Sequence, residues 1–527
     1  MRDFHLPGRS PVFATNGMAA TSVPSATLAA LDVLRAGGNA LDAAVAAVAV
    51  LCVVEPQSTG IGGDCFCLYK PANGPVVALN GSGRAPEAAT IDFFEKLGAS
   101  EIGANTPHAV TVPGAVSAWE TLLAAHGTKG LDELLRPAIA LAEGGHVVTP
   151  RLASDWEGST AKLVAGNAVP FIRTPKVGDV FRQPELGRTL RSIAAQGARG
   201  FYEGEVAADI VTTLRARGGL HTEADFAAGR TAAMFVDPIT AAYRGHDVWQ
   251  CPPNGSGLLV LMLLGILQGF DAADGPLGAT RLHRHIEAAR LVYRDRDAFL
   301  ADPTQVEVPV GHLTSAAYLD GLRALIRDDA AMAEMPLPGE SLLPTHKDTV
   351  YLCVVDRDGN ACSFINSLFE GFGSGIWAPK SGVMLQNRGH SFRVERGHPN
   401  CIAPFKRPMH TIIPGMVTRN GRAVMPYGVM GGHFQPMGQT LLLSNMFDHG
   451  LDVQEAIDLA RIFPRLGRVQ AERGIPGDVM GRLAALGHGV DVVDKPHGGG
   501  QAIWIDHDRG VLVGGSDPRK DGCALGY

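Results

Sequence analysis

Residues 348–387 read DTVYLCVVDRDGNACSFINSLFEGFGSGIWAPKSGVMLQN. Two runs in this stretch, YLCVVD (351–356) and ACSFINSL (361–368), are short, apolar and rich in β-formers, as buried strands are. Between them Asp356-Arg357-Asp358-Gly359-Asn360 supplies the Asp, Gly and Asn that favour a tight hairpin. Thr349 stands directly ahead of the first strand, behind Lys347-Asp348. A threonine hydroxyl is a weak nucleophile at its own pKa and needs a neighbouring base. Cutting the peptide bond before it frees an α-amine on the same residue, whose ordinary pKa of about 7.7–8.0 suits proton transfer at neutral pH. A threonine that opens a strand is also an ordinary structural feature, and the residues alone leave both readings open.

Further short β-rich runs follow Pro344: GVML (382–385), TIIPGMV (411–417), AVMPYGVMG (423–431), AIWID (502–506) and VLVGG (511–515). Toward the N-terminus, residues 24–36 space Leu28, Leu31, Val33 and Leu34 as a helix does, with Ser25 as the expected N-cap. Gly37-Gly38 ends that helix and Asn39 is placed to cap the next, LDAAVAAVAVLCVV, which is apolar all round and is predicted to be buried. Residues 59–85 read as a glycine-rich turn followed by the strands CFCLYK and PVVALN. From about 105 to 345 the chain reads as mostly helical, with amphipathic stretches near 116–126, 133–143, 204–217, 257–268 and 280–299. Strands at both ends with helices between and around them predict an α+β layered sandwich. No internal repeat and no long linker divides the chain.

Composition narrows the functional classes. The chain has 527 residues, of which 46% are apolar and 19% charged, enough for one large core or two fused ones. Its 65 glycines and 34 prolines follow no period, which excludes collagen-like and low-complexity readings. A net charge of −7 gives no basic footprint for nucleic acid or anionic membranes. The opening MRDFHLPGRSPVF lacks the apolar core of a secretory signal, and Ala43–Val54 and Leu258–Gly265 fall short of the roughly 20 residues that span a bilayer. Eight cysteines (Cys52, Cys65, Cys67, Cys251, Cys353, Cys362, Cys401 and Cys523) form no CxxC pair and read as reduced thiols, so a cytoplasmic location is expected. No GxSxG, HExxH, GxxxxGK[ST] or strand-linked GxGxxG occurs. His283 and His285 have strand spacing inside a helical stretch, so no metal and no cofactor is expected.

The run at 348–387 strongly resembles the segment of the gamma-glutamyltranspeptidase family that begins at the processed threonine. The likeness continues in family order through AGGNALDAAVAAVAVLCVVEPQSTGIGGD (36–64), TPHAVTVPGAVSAW (106–119), RGFYEGEVAADI (199–210), LHTEADF (220–226) and ARLVYRDRDAFLADP (289–303). PFKRPMHTIIP (404–414), VMGG (429–432) and GGSDPRKDGCALGY (514–527) complete it. The resemblance implies a four-layer αββα N-terminal-nucleophile hydrolase made as a precursor. Self-cleavage would give a large subunit, 1–348, and a small subunit, 349–527, intertwined as one domain. These form a heterodimer, alone or as a pair of heterodimers. It implies that Thr349 is the nucleophile for both self-cleavage and substrate, that Ser367 matches the family threonine supporting that hydroxyl, and that Gly431 and Gly432 supply the oxyanion hole. Glycine suits that task because it lets backbone N–H groups approach the developing charge.

The glutamyl-binding positions depart from the family. Ser82 aligns with the arginine that grips the substrate α-carboxylate, and Arg84 lies two residues on, about 6–7 Å along an extended strand. Ser391 aligns with the aspartate that receives the α-amine, Phe369 with an asparagine, and His410 and Thr411 with paired serines; the lid loop is cut to RVERGHPNCIAPF. A site built to hydrogen-bond an amino-acid head group loses factors of about 10⁴ in discrimination when those partners vanish. New candidates for anion recognition are Arg388, His390, His410 and His433. QNRGH, HPN and KRPMHTIIPG resemble the cytosolic branch of the family, which includes oxamate amidohydrolase and cephalosporin-acylase-like members. The expected substrate is therefore a small carboxylate-bearing amide such as oxamate. The alternatives are a glutathione hydrolase or gamma-glutamyltransferase with rebuilt contacts, or a non-catalytic member.

Overall fold

The computed structural model describes residues 8–272, 274–334 and 349–527. Fourteen strands form its two large sheets. In chain order they are β1 (Val12–Ala14), β2 (Met18–Thr21), β3 (Asp64–Lys70), β4 (Val77–Gly81), β5 (Met234–Val236), β6 (Ile239–Tyr243), β7 (His246–Gln250), β8 (Val350–Val355), β9 (Ala361–Ser367), β10 (Gly415–Arg419), β11 (Arg422–Met430), β12 (Gly499–Asp506), β13 (Val511–Ser516) and β14 (Cys523–Gly526). One sheet runs β1-β13-β12-β11-β10-β7-β6 and the other β14-β2-β8-β9-β3-β4-β5.

Alternation along the strands stacks these sheets into layers. In β8, Val350, Leu352 and Val354 face helices, while Tyr351, Cys353 and Val355 face the other sheet. In β3, Cys65, Cys67 and Tyr69 take the helix side and Phe66 and Leu68 the sheet side. The first sheet mirrors this: Met416, Met430 and Ile503 point between the sheets, and Val417, Met425, Tyr427 and Val429 point outward to helices. The helices are α1 (Pro24–Arg35) and α2 (Ala40–Val54) on one outer face, and α3 (Gly257–Leu267), α4 (Ala279–Phe299) and α5 (Gln435–Phe447) on the other. The result is the expected αββα sandwich.

Local readings fared unevenly. Every residue of α2 is buried, and Asn39 caps it through a reciprocal box with Asp42, a device worth about 1 kcal/mol. Ser25 is not the cap of α1. The helix begins at Pro24, whose missing N–H costs nothing in the first turn, and Val23 holds the cap position without a side-chain bond. The region expected to be mostly helical contains β5, β6 and β7, which extend the edges of both sheets. β6 and β7 are joined by Arg244-Gly245, both at positive φ, a two-residue turn with little helical or hairpin signature in its first residue. All eight cysteines are free thiols. Among the described residues no helix is long and apolar enough to cross a membrane.

Candidate active site

Thr349 heads β8 and is fully buried. Pairing of Val350 with Asn366 carries Thr349 alongside Ser367, the last residue of β9, and the two hydroxyl oxygens lie 3.2 Å apart. Across the other edge of β9, Ser367 pairs with Asp64, the first residue of β3. Three adjacent strands thus end in a row of Thr349, Ser367 and Asp64. Lys347 and Asp348, on the far side of the expected cleavage point, lie outside the described residues.

Asp64 was not singled out in the sequence, yet it organises the floor of the site. Its Oδ1 accepts the backbone N–H of Gly83 (2.9 Å) and of Gly114 (3.1 Å) and the side-chain amide of Gln386 (2.9 Å). Its Oδ2 lies 3.0 Å from Nε2 of His410. His410 is fully buried, and its Nδ1 accepts the N–H of Ile412 at 3.3 Å, so Nε2 carries the proton toward Asp64. Burial, reinforced by nearby Arg388, holds the imidazole down to about 3. His410 is therefore neutral at physiological pH and engaged by both nitrogens; it braces Asp64 and presents no cation to a substrate.

This has a pH signature. The unfolded imidazole titrates near 6.5 and the folded one near 3. Between these values the unfolded state binds more protons, so this group's contribution to stability is complete above about 6.5 and is lost as pH falls toward 3. His410→Gln is expected to flatten the fall of Tm between pH 6.5 and 4 relative to the parent. Identical slopes would show that the native imidazole is not held neutral.

Arg388 lies in a short turn, Arg388–Ser391, and is fully buried. Its Nη1 donates to Oγ1 of Thr411 at 2.8 Å and its Nη2 to Oγ of Ser367 at 3.4 Å. The Phe369 ring covers the guanidinium at 4.0 Å. Among the described residues its Nε–H has no acceptor and no carboxylate pairs with it. Burial pushes this arginine down to about 9, with only the longer-range charges of Asp64 and Glu370 in opposition. A buried cation costs several kcal/mol in desolvation, whereas a cation–π contact returns about 2 kcal/mol at best. The guanidinium thus lacks a directly paired carboxylate.

Phe369 adopts φ 84°, unusual for an aromatic residue, and its N–H donates to Oγ of Ser367 at 2.9 Å. The turn that follows is held by Lys162, whose ammonium donates to the carbonyls of Gly371 (3.0 Å) and Gly373 (3.1 Å) and to Glu370 (3.2 Å). Phe369 also reaches the other sheet, its ring 6.3 Å from that of His433. His433 follows Gly431-Gly432, the turn at the end of β11, where φ is +124° and +58°. Nδ1 of His433 accepts a guanidinium N–H of Arg296 at 2.9 Å, and its carbonyl accepts the Tyr293 hydroxyl.

Other expected contacts turn elsewhere. Arg84 donates to the Phe405 carbonyl at 2.7 Å and lies 3.9 Å from the Asp302 carboxylate, so it serves the 402–407 loop. Ser391 places Oγ 2.8 Å from the carbonyls of both Arg388 and Met409 and so fixes the Arg388 turn. His390 donates through Nδ1 to the Ile102 carbonyl at 2.5 Å. Ser82, which the resemblance aligns with a family arginine, accepts the Asn254 amide at 3.0 Å, and its carbonyl accepts Nε of buried Arg407 at 3.2 Å. Among the described residues no group of three or more His, Cys, Asp or Glu side chains is arranged to hold a metal.

The family model described as Gamma-glutamyltranspeptidase matches residues 26–527. The chain belongs to the gamma-glutamyltranspeptidase family. It is 36% identical to a glutathione hydrolase-like proenzyme of Bacillus subtilis over 98% of this chain and 99% of that protein. It is 35% identical to the oxamate amidohydrolase proenzyme of Klebsiella pneumoniae, over 97% of this chain and 99% of that one. The crystal structure of a cephalosporin acylase from Bacillus halodurans superposes with a TM-score of 0.93 at 40% identity, covering 100% of this chain and 99% of that chain. Membership makes this chain an N-terminal-nucleophile hydrolase acting on amide bonds, and the αββα sandwich is the fold that its solved relatives share.

Proposed function

We propose that this family member is a self-processing amidohydrolase whose substrate is a small amide bearing a carboxylate, oxamate-like in kind, cleaved through a threonyl acyl-enzyme. The observation that carries the reading is Arg388: a buried guanidinium with an unused Nε–H, one hydroxyl removed from Thr349. A substrate carboxylate on that edge makes a charge-assisted bond and gives the guanidinium the direct partner it lacks. The oxamate amidohydrolase among the relatives supports the same class.

In this reading Oγ1 of Thr349 first attacks the carbonyl of residue 348, the acyl group passes from nitrogen to oxygen, and water hydrolyses that ester, freeing the α-amine. Oγ1 of Thr349 then attacks the amide carbonyl while the α-amine takes its proton, and the N–H groups of Gly431 and Gly432 receive the oxyanion. The α-ammonium returns the proton to the departing nitrogen, and water resolves the ester. The fragments 1–348 and 349–527 remain together because their strands interleave: β8 and β9 lie between β2 and β3 in one sheet. Separation would break five antiparallel ladders at once, these two and those of β2 with β14, β1 with β13 and β7 with β10.

Glutathione hydrolases among the relatives favour a second reading, gamma-glutamyl transfer or hydrolysis with altered contacts. Turnover of oxamate against a gamma-glutamyl anilide decides between the two. Comparable rates on both would sink the carboxylate-amide reading. Arg388→Met is expected to raise KM for oxamate about ten- to a hundredfold, the worth of one hydrogen bond to a charged group, while self-cleavage still goes to completion. Unchanged KM would return Arg388 to a purely structural role.

A further inference from the structure

We propose that Asp64 is the positioning residue for the substrate-binding guanidinium: from within residues 1–348 it clamps the two segments of residues 349–527 that deliver Arg388 and its hydroxyl partner Thr411. The proposal rests on the reading of Arg388 as the handle for a substrate carboxylate. It deepens that reading by naming what holds the handle in place.

The clamp has two arms and a mount. In the first arm Oδ1 of Asp64 accepts Nε2 of Gln386 at 2.9 Å, two residues ahead of Arg388, and the same amide donates to Oγ1 of Thr111 at 2.9 Å. In the second arm Oδ2 takes Nε2 of His410 at 3.0 Å. The next residue, Thr411, accepts Nη1 of Arg388 at 2.8 Å. The mount is the backbone N–H of Gly83 and of Gly114, which both reach Oδ1. Neither glycine can be replaced without moving it: a Cβ would stand 2.0 Å from the Val112 carbonyl oxygen at Gly83, and 2.2 Å from that of Gly81 at Gly114. Asp64 itself is fully buried at the head of β3, so the carboxylate is held rigidly while it holds the two segments.

Hydrogen-bond chemistry says why a carboxylate is needed there. The four partners that Asp64 has among the described residues all donate, and an ionised carboxylate accepts only. His410 must donate, because its Nδ1 already accepts the Ile412 N–H. An asparagine of the same shape sets an amide N–H against the His410 N–H, or, with the amide reversed, against the Gln386 and glycine N–H groups. Either way one arm opens while the packing is unchanged. The charge matters as well as the lone pairs. Burial is what lowers the Arg388 guanidinium, and Asp64 is the leading charge that opposes it. One carboxylate therefore both places the cation and helps keep it a cation.

The test follows ammonia release from oxamate by self-cleaved enzyme, with p-nitrophenyl acetate as an acyl donor that has no carboxylate. Asp64→Asn is expected to raise KM for oxamate about tenfold or more, with a smaller change in kcat. Its loss of kcat/KM should be about fivefold greater on oxamate than on the ester. In an Arg388→Met background the same Asp64→Asn change is expected to move KM for oxamate by less than about twofold, because the group it positions is gone. Equal losses on the two substrates, or an undiminished KM effect in the Arg388→Met background, overturns the proposal. If the parent releases no ammonia from oxamate, or Arg388→Met alone leaves KM unchanged, the carboxylate reading falls and takes the proposal with it. Thermal melts of each variant separate lost binding from lost folding. Should Asp64→Asn fail to fold or to self-cleave, Gln386→Met cuts one arm and keeps the carboxylate: it is expected to raise KM for oxamate about threefold or more, and an unchanged KM overturns the proposal.

Discussion

Thr349→Ala protein is expected to remain a single chain of 527 residues under denaturing conditions, and to release no amine from any amide that the parent cleaves. Both losses follow from one atom. In the proposed mechanism Oγ1 attacks the preceding carbonyl during processing and the substrate carbonyl afterwards. Loss of a nucleophile of this type lowers kcat by about 10⁴ to 10⁶. The fold should survive, since Thr349 contributes no ladder pair to β8, which begins at Val350. Intact mass and an amide turnover assay check both parts on one preparation. Residual turnover within a hundredfold of the parent would remove Thr349 from the mechanism.

Gly431→Ala is expected to lower kcat about 10²- to 10³-fold, the usual cost of a lost oxyanion donor, with a smaller change in KM. Gly431 sits at φ +124°, where a side chain is strained, and a Cβ there would stand 2.9 Å from the Cα of Gly498. That neighbour is backbone at the entrance to β12, so the Gly431-Gly432 turn must shift and carry its N–H groups with it. Gly421→Ala provides the control: it too has positive φ, +73°, but it lies in the turn between β10 and β11 with open space around it. Both variants should lose stability, and only Gly431→Ala should lose kcat. If the two lose kcat equally, strain in β11 rather than the position of the oxyanion donors accounts for the effect.

Much of the sandwich was legible because burial on both faces writes itself into strands and helices. YLCVVD, CFCLYK and the all-apolar α2 have no polar face to offer water, and each lies inside the layers. Strands β5, β6 and β7 were illegible for the opposite reason: they are short, lie at or next to sheet edges and expose residues such as Met234 and Phe235. Their sequence carries no sustained period, and neighbouring strands supply what holds them. Ser25 misled because Pro24 is a stronger start signal than a serine one residue later.

Read alone, the residues set out the chemistry on offer: a threonine ahead of a buried strand, a glycine pair after another, and Ser82, Phe369 and Ser391 where the family resemblance aligns glutamyl-binding residues. The sequence also contained Arg388, His410 and Asp64, but could not say which would carry charge. Tertiary structure decided that, because ionisation depends on what surrounds a group in space. Asp64 and His410, 346 residues apart, satisfy each other, leaving the imidazole neutral. Arg84 is turned to a loop carbonyl. Arg388 alone of these is buried beside Ser367 with a donor to spare, where low dielectric makes an unpaired charge expensive and an incoming carboxylate welcome.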